Sequence, residues 1–412
     1  MRIIRKRCLG LDLHKKQITA HLRVHGSIDD EPDRTDTRFG TLPADLKRLR
    51  DWVVEKQIED VVMESTSVYW MHLYELLEPV TRPAVVNASH VKKVPGRKTD
   101  VSDAQWLADL HAHGLLRLSF VPPKPIRQLR TLTRYRTKLV AMRTATRNRT
   151  VKMLERAGIK LSSVVSDCFG ATGRGILDVL AEKGELGYTE INTLARGTLR
   201  NKVRELTAAV AIPLNDVERD LLGMHLRSYD ALDAQIAESE GKLGDLAKPY
   251  ASSVDKLDAV PGINPLAAIT LIAETGVDMS AYQSEHHLTA LAGLAPGNSI
   301  SDEKRRAIAV RKGNRYLKRI CVQIAWAVTR KKDSFLRARF GRLSRRIGRN
   351  KAIVATARHI LVIVYHLLRT DRPYQDLGAN YHDRRNSERL IRQHVRRLEN
   401  LGFVVELKRT GT

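Results

Sequence analysis

Near Lys98 the hydrophobic pattern of this chain changes period. Before it, short apolar runs alternate with helical stretches. After it, helical spacing continues almost unbroken. That switch predicts an α/β domain followed by mainly helical ones. A length of 412 residues is enough for two or three domains, and the 42% hydrophobic share can fill their cores.

Local signals fill in the order. CLGLDL and Gln17 to Val24 read as a β-hairpin spanning residues 8 to 26, the first strand ending in Asp12. Pro43 opens a helix with Leu46, Leu49 and Val53 on one face. DVVMES, residues 60 to 65, is a buried strand that delivers Glu64 at its end; a helix over Tyr69 to Leu77 and a strand over Pro83 to Asn87 follow. Arg127 to Gly158 is a long basic helical stretch that includes Arg134, Arg143 and Arg147. Residues 216 to 248 read as one helix ended by Pro249. Leu222, Tyr229, Ile236 and Leu243 recur there every seven residues, with Leu232 and Leu246 in a partial second seam, as in a short coiled coil. The stretch from Ser252 to Leu368 is again mainly helical, and the tail after Pro373 is charged.

A net charge of +25 points to a polyanionic partner, nucleic acid first and an anionic membrane surface second. No uninterrupted run of about 18 apolar residues predicts a membrane span, and the basic start lacks the apolar core of a secretory signal. Cys8, Cys168 and Cys321, far apart and odd in number, read as reduced thiols of a cytoplasmic protein.

Four carboxylates stand at positions suited to chemistry. Asp12 and Glu64 end strands, and Asp100 and Asp103 lie in KTDVSDAQWLADL, which opens a helix. Strand ends and a helix start can meet at one sheet edge, and oxygen ligands there suit a hard divalent cation such as Mg²⁺. Singly, each has a plainer use: Asp100 or Thr99 as helix cap, Asp103 in the first turn, Glu64 as an exposed strand-end charge. Further on, LDAVPGINPLAAITLIAETG, residues 257 to 276, reads as two helices joined at Pro261-Gly262, either a phosphate-holding helix-hairpin-helix or an ordinary helical hairpin. Pro296-Gly297-Asn298 then forces a loop holding Ser299 and Ser301, followed by Lys304, Arg305, Arg306, Arg311, Lys312 and Arg315. A serine among phosphate-binding cations can attack a phosphodiester, but no adjacent base is visible, so the residues alone favour plain phosphate binding.

GLDLHK, MESTSVYW and KTDVSDAQWLADLHAHGLL resemble the N-terminal DEDD domain of transposases of the insertion-sequence 110 and 1111 group. VPGINPLAAITLIAETG and GLAPGNSISDEKRRAIAVRKGNRYLKR resemble that group's C-terminal transposase domain. The resemblance runs through nearly the whole chain, in the family's order. It implies a RuvC-like, ribonuclease-H-type α/β domain over residues 1 to 125 and a basic helical region over 126 to 205. A coiled-coil linker over 206 to 250, a mainly α transposase domain with a helix-hairpin-helix-like motif over 251 to 370, and a charged tail over 371 to 412 complete it. It implies that Asp12, Glu64, Asp100 and Asp103 form a Mg²⁺ site and that Ser301 is the nucleophile of a covalent phosphoserine link to DNA. Donor and target DNA, a non-coding guide (bridge) RNA, and dimers that pair into tetramers are implied as partners, with no membrane role and action at the bacterial nucleoid. Arg134, Arg143 and Arg147 offer a surface for the RNA. The chain departs from many relatives at Asp302 and Glu303, where small residues are usual, which keeps Ser299 as a rival nucleophile, and at Ser67, where glycine is common.

The expected function is therefore RNA-guided cutting and rejoining of DNA. The alternative is a metal-dependent nuclease or junction resolvase that hydrolyses DNA. A third reading is a nucleic-acid-binding protein with no activity.

Overall fold

The computed structural model describes residues 3–25, 31–65, 67–91, 94, 102–295, 300–301, 304–305, 313–370, 372–385 and 387–408. The chain divides into two units, Met1–Lys124 and Pro125–Thr412.

The first unit is built on a six-stranded sheet. Strands β1 (Arg7–Leu13), β2 (Gln17–Val24) and β3 (Asp33–Gly40) form an antiparallel meander. Strand β4 (Asp60–Glu64) adds to β1 in parallel and β5 (Arg82–Val86) to β4 in parallel. The short β6 (Leu118–Ser119) closes the far edge antiparallel, giving the order β3-β2-β1-β4-β5-β6. The expected hairpin, the helices α1 (Pro43–Glu55) and α2 (Tyr69–Leu77), and the β4 and β5 strands stand where the periodicity puts them, to within a residue or two. Strand β3 is an addition. Its sequence, DRTDTRFG, carries too few apolar residues to announce a strand, because as an edge strand it buries no side chain fully. A short helix, α3 (Ala88–Val91), and α4 (Asp103–Ala112) complete the unit.

Alternation along the central strands sorts side chains onto two faces. Leu9, Leu11 and Leu13 of β1, with Val61 and Met63 of β4, pack with Leu46, Leu49 and Val53 of α1 and Leu73 and Leu77 of α2. On the opposite face Val62 and Val86 pack with Leu107 and Leu110 of α4. The result is helices, sheet, helix in three layers. Gly10 makes the close approach of α4 possible, since a Cβ there would fall 2.0 Å from the Ala104 carbonyl oxygen. Ile4 donates to the Ala112 carbonyl at 2.9 Å, so the far end of α4 lies at the start of β1. Helix α4 therefore runs antiparallel to β1.

Among its described residues the second unit is helical apart from one short hairpin of two-residue strands. Helix α5 (Lys124–Arg156) leads into a small bundle of α6 (Leu161–Val164), α7 (Ala171–Lys183), α8 (Tyr188–Leu194) and α9 (Val203–Ala209). The bundle buries Leu154, Ile176, Leu180, Ile191 and Leu206 together with Leu222 and Leu226 of α10 (Asp216–Ala247). Asn215 starts α10 with a capping box: its Oδ1 accepts from Glu218 N at 2.9 Å, and Glu218 reaches back to Asn215 N at 3.1 Å.

The seam of α10 is buried within the chain. Leu232 and Ile236 pack on Leu139 of α5. Arg136 pairs with Glu240 and Arg143 with Asp233, so α5 and α10 run antiparallel side by side. Tyr229 is only half-buried and stacks on Phe169 at 4.3 Å, while Leu246 is exposed. Within this chain, Leu232 and Ile236 of the seam thus pack on α5, and Leu222 and Leu226 in the small bundle. A heptad records that a seam is covered and is silent on which chain covers it.

The remaining elements are α11 (Ala251–Asp258), α12 (Pro265–Thr275), α13 (Glu285–Leu291), β7 (Ile300–Ser301), β8 (Lys304–Arg305), α14 (Arg315–Val328), α15 (Phe335–Ile347) and α16 (Arg349–Arg369). Two further helices, α17 (Tyr381–Arg385) and α18 (Ser387–Glu399), give the charged tail regular structure. Helices α11 and α12 are joined at Pro261-Gly262, with Gly262 at φ +89° and Asn264 capping α12 through Ala267 N at 2.8 Å. Helix α16 is long and apolar enough to cross a membrane by length and composition, although Arg358 and His359 interrupt its apolar run. Its Ala352, Ile353, Ala357, Ile360, Leu361 and Val364 are buried, and it packs on α13, α14 and α15 as a core helix. The three cysteines are free and buried.

Candidate active site

Three of the four expected acids can be placed, two by the pleat and one by the start of a helix. Asp12 follows Gly10 by two residues, so it shares the α4 face of β1. Glu64 follows Val62 by two and shares that face of β4. Leu11 and Met63 are register partners in the parallel pair, so Asp12 and Glu64 end neighbouring strands at the same edge. Because α4 runs antiparallel to β1, its N-terminus lies at that edge too. Asp103 is its first residue, one before the Ala104 that meets Gly10. Asp12, Glu64 and Asp103 thus occupy one face and one edge of the sheet.

The helix start differs in detail from expectation. Ser102 is the cap, its Oγ accepting from Gln105 N at 3.2 Å, in place of Asp100 or Thr99. Asp103 is left in the first turn, where a carboxylate is favoured by the helix dipole. Asp12 Oδ2 lies 3.0 Å from His14 Nε2. Asp100 lies outside the described residues.

Among the described residues no three acidic, histidine or cysteine side chains converge tightly enough to hold a metal ion. The donor chemistry nonetheless fits one: the three placed groups are all carboxylates, the oxygen ligands a hard divalent cation takes.

In the second unit, Ser301 lies on a β-hairpin. Ile300 pairs with Arg305 and Ser301 with Lys304, so the expected nucleophile sits directly across from a lysine on the partner strand. Pro296 to Ser299, Asp302, Glu303, Arg306, Arg311 and Lys312 lie outside the described residues. Arg315 opens α14, exposed and lying over the Tyr316 ring at 4.9 Å.

The segment bearing this hairpin is closed at its base. A Cβ on Gly313 would stand 2.3 Å from Gly293 N, and Asn314 N donates to the Leu291 carbonyl at 2.7 Å. Asn314 also caps α14, its Oδ1 accepting from Tyr316 N and Leu317 N. Its Nδ2 donates to Glu274 Oε2 at 2.6 Å.

Glu274 was not anticipated as a site residue. It is 1% exposed near the end of the apolar helix α12. Arg134 binds both its oxygens at 2.8 Å, and Arg130 donates to the Ala273 and Glu274 carbonyls at 2.8 and 3.0 Å. Burial lowers the Arg130 pKa below the usual arginine value, with Glu274 opposing the shift. The available signal was an isolated acid in PLAAITLIAET matched by two arginines four apart on another helix. Arg134, one of the residues expected to touch nucleic acid, holds both oxygens of Glu274 and remains partly exposed. Arg143 pairs with Asp233 and Arg147 with Asp167 at 2.9 Å, both more exposed.

Two family comparisons match separate segments. Residues 9–159 match a transposase family of the DEDD type associated with IS110, and residues 254–340 match the transposase IS116/IS110/IS902 family. Over 302 residues the chain is 26% identical to the transposase for insertion sequence element IS1111A of Coxiella burnetii, covering 71% of this chain and 72% of that protein. Over 377 residues it is 27% identical to a probable family 20 transposase of Pseudomonas aeruginosa, covering 89% of this chain and 98% of that protein. The first segment holds Asp12, Glu64, Asp100 and Asp103, and the second holds Ser301. A DEDD-type domain implies use of a divalent metal. With both segments matched in order, the chain belongs to the IS110/IS1111 group of transposases, enzymes that act on DNA.

Proposed function

We propose that this transposase cuts and rejoins DNA through a covalent phosphoserine intermediate, guided by a non-coding RNA that pairs with donor and target. The α/β unit is read as a RuvC-like, ribonuclease-H-type domain. Its strand order and the three carboxylates at one sheet edge carry that reading. Asp12, Glu64 and Asp103, with Asp100, would hold Mg²⁺, which neutralises phosphate charge and polarises the scissile phosphate when bound.

In this reading Ser301 Oγ attacks phosphorus. A serine–phosphate ester forms as the bond to one strand oxygen breaks, the serine proton leaves to solvent or a base, and the departing strand end takes up a proton. Attack by a second strand's hydroxyl reverses the step and frees the serine. The phosphodiester energy is kept in the ester, so rejoining needs no nucleotide cofactor. Lys304, across the hairpin from Ser301, supplies a cation for the charge that develops. Closure at Gly293 and Gly313 anchors the segment that presents the serine.

The test is incubation with RNA, Mg²⁺ and end-labelled DNA, followed by denaturation and electrophoresis. A protein–DNA adduct that disappears in Ser301→Ala and Asp12→Asn is expected. Free cut ends without adduct from the wild-type chain would establish hydrolysis instead. Adduct formation and strand exchange without RNA would remove the guide from the reading.

A further inference from the structure

Arg337, Arg342 and Arg345 of α15 and Arg389 of α18 differ from Arg134, Arg136, Arg143 and Arg147 of α5 in forming no ion pair with an acid among the described residues. Between α15 and α18 opens a cavity of about 900 Å³. Arg337, Arg342 and Arg345 line it from α15 and Arg389 from α18, against two carboxylates, Asp333 and Asp383. None of these four guanidinium groups forms an ion pair or a side-chain hydrogen bond among the described residues. Arg339, behind the same wall, keeps a buried Nε without a partner. Burial, then Arg342 and Arg358, lowers its pKa below the usual arginine value.

Like charges set around one cavity repel and contribute nothing to folding. Arginine is the side chain best shaped to grip phosphate oxygens, two at a time. A cavity of this size falls among sites on the order of 300–1,000 Å³, which hold a short run of one strand and cannot enclose a duplex. The substrate that this chain's chemistry supplies is DNA.

We propose that this cleft, lined by α15 and α18, binds the phosphate backbone of a single DNA strand. Its residues belong to neither the acidic edge nor the Ser301 hairpin, and most lie beyond the second family-matched segment. The assignment rests on the reading that the protein handles cut strands. Its test needs no catalysis, so failure of the adduct assay and failure of binding are separate results.

The full chain is titrated against a short fluorescein-labelled single-stranded deoxyoligonucleotide, by anisotropy, between about 50 and 200 mM salt. Each phosphate contact contributes about −0.7 to the slope of log affinity against log salt for a single strand, so R342Q/R345Q/R389Q is expected to bind about tenfold more weakly with a slope shallower by about 2. R342K/R345K/R389K keeps the slope. The thermal midpoint of the glutamine variant stays at or above wild type, because repelling charges have been removed. An unchanged slope would overturn the proposal. So would a loss seen equally with duplex DNA, a loss seen only with an RNA strand of the same sequence, or a lowered thermal midpoint, which would make the arginines structural.

Discussion

Helix α5 and the pair α15/α18 are both arginine-rich, yet the structure uses their charges in opposite ways. On α5, Arg134, Arg136, Arg143 and Arg147 meet Glu274, Glu240, Asp233 and Asp167. On α15 and α18, Arg337, Arg342, Arg345 and Arg389 form no ion pair among the described residues, although Asp333 and Asp383 line the same cavity. A paired guanidinium has spent its charge on packing helices together. An unpaired one is available to a ligand. Density of basic residues in a sequence therefore marks a nucleic-acid surface only where the fold leaves those residues without ion pairs.

The largest effect separates the two classes outright. Glu274→Ala strands Arg130 and Arg134 in a buried site and is expected to destabilise the fold by about 3–5 kcal/mol, read as a lowered thermal midpoint, with Glu274→Gln milder. Because Asn314 also loses its partner, the Ser301 segment loses an anchor, and adduct yield falls beyond what the lost stability explains. A Glu274→Ala protein as stable as wild type would erase the distinction between the two regions.

Histidine titration probes the unpaired side. His359 lies beside Phe335, Arg339, Arg358 and His382. Burial first, then the arginines, push its pKa down to about 4 from an ordinary 6.5. The folded state therefore binds fewer protons than the unfolded one. Its stabilising contribution is present above about pH 6.5 and is lost as pH falls toward 4, to a limit on the order of 3 kcal/mol. NMR titration should show the His359 pKa rising in Arg339→Gln. No rise would mean that Arg339 takes no part in the shift.

The cleft variant R342Q/R345Q/R389Q comes next, with weakened strand binding and undiminished stability. The smallest expected effect is at Arg143 and Asp233, where a double-mutant cycle on thermal stability should give a coupling of roughly 0.2–1 kcal/mol, as for exposed pairs. A coupling above that range would make the α5–α10 seam more dependent on charge than on Leu139, Leu232 and Ile236.

The first unit was largely legible in the sequence. Period-two runs ending in Asp12 and Glu64, and the Pro43 helix start, are local signals that tertiary packing reinforces. Strand β3 was not, because it pairs through backbone at an edge and has no apolar alternation to display. The acidic set was legible as residue types at strand ends. What brings Asp103 to the same edge is a non-local contact, Gly10 against Ala104, which one glycine in GLDL does not announce. Glu274 was hidden for the same reason, since its partners lie 140 and 40 residues away in sequence. The α10 seam was legible as a buried stripe, but its cover, α5 of the same chain, was not.

Mass spectrometry of the trapped adduct tests the central claim most directly. After nuclease and protease digestion, the account predicts a phosphonucleotide remnant on Ser301. A remnant on Ser299 or elsewhere, or cleaved DNA with no protein attached, would contradict it.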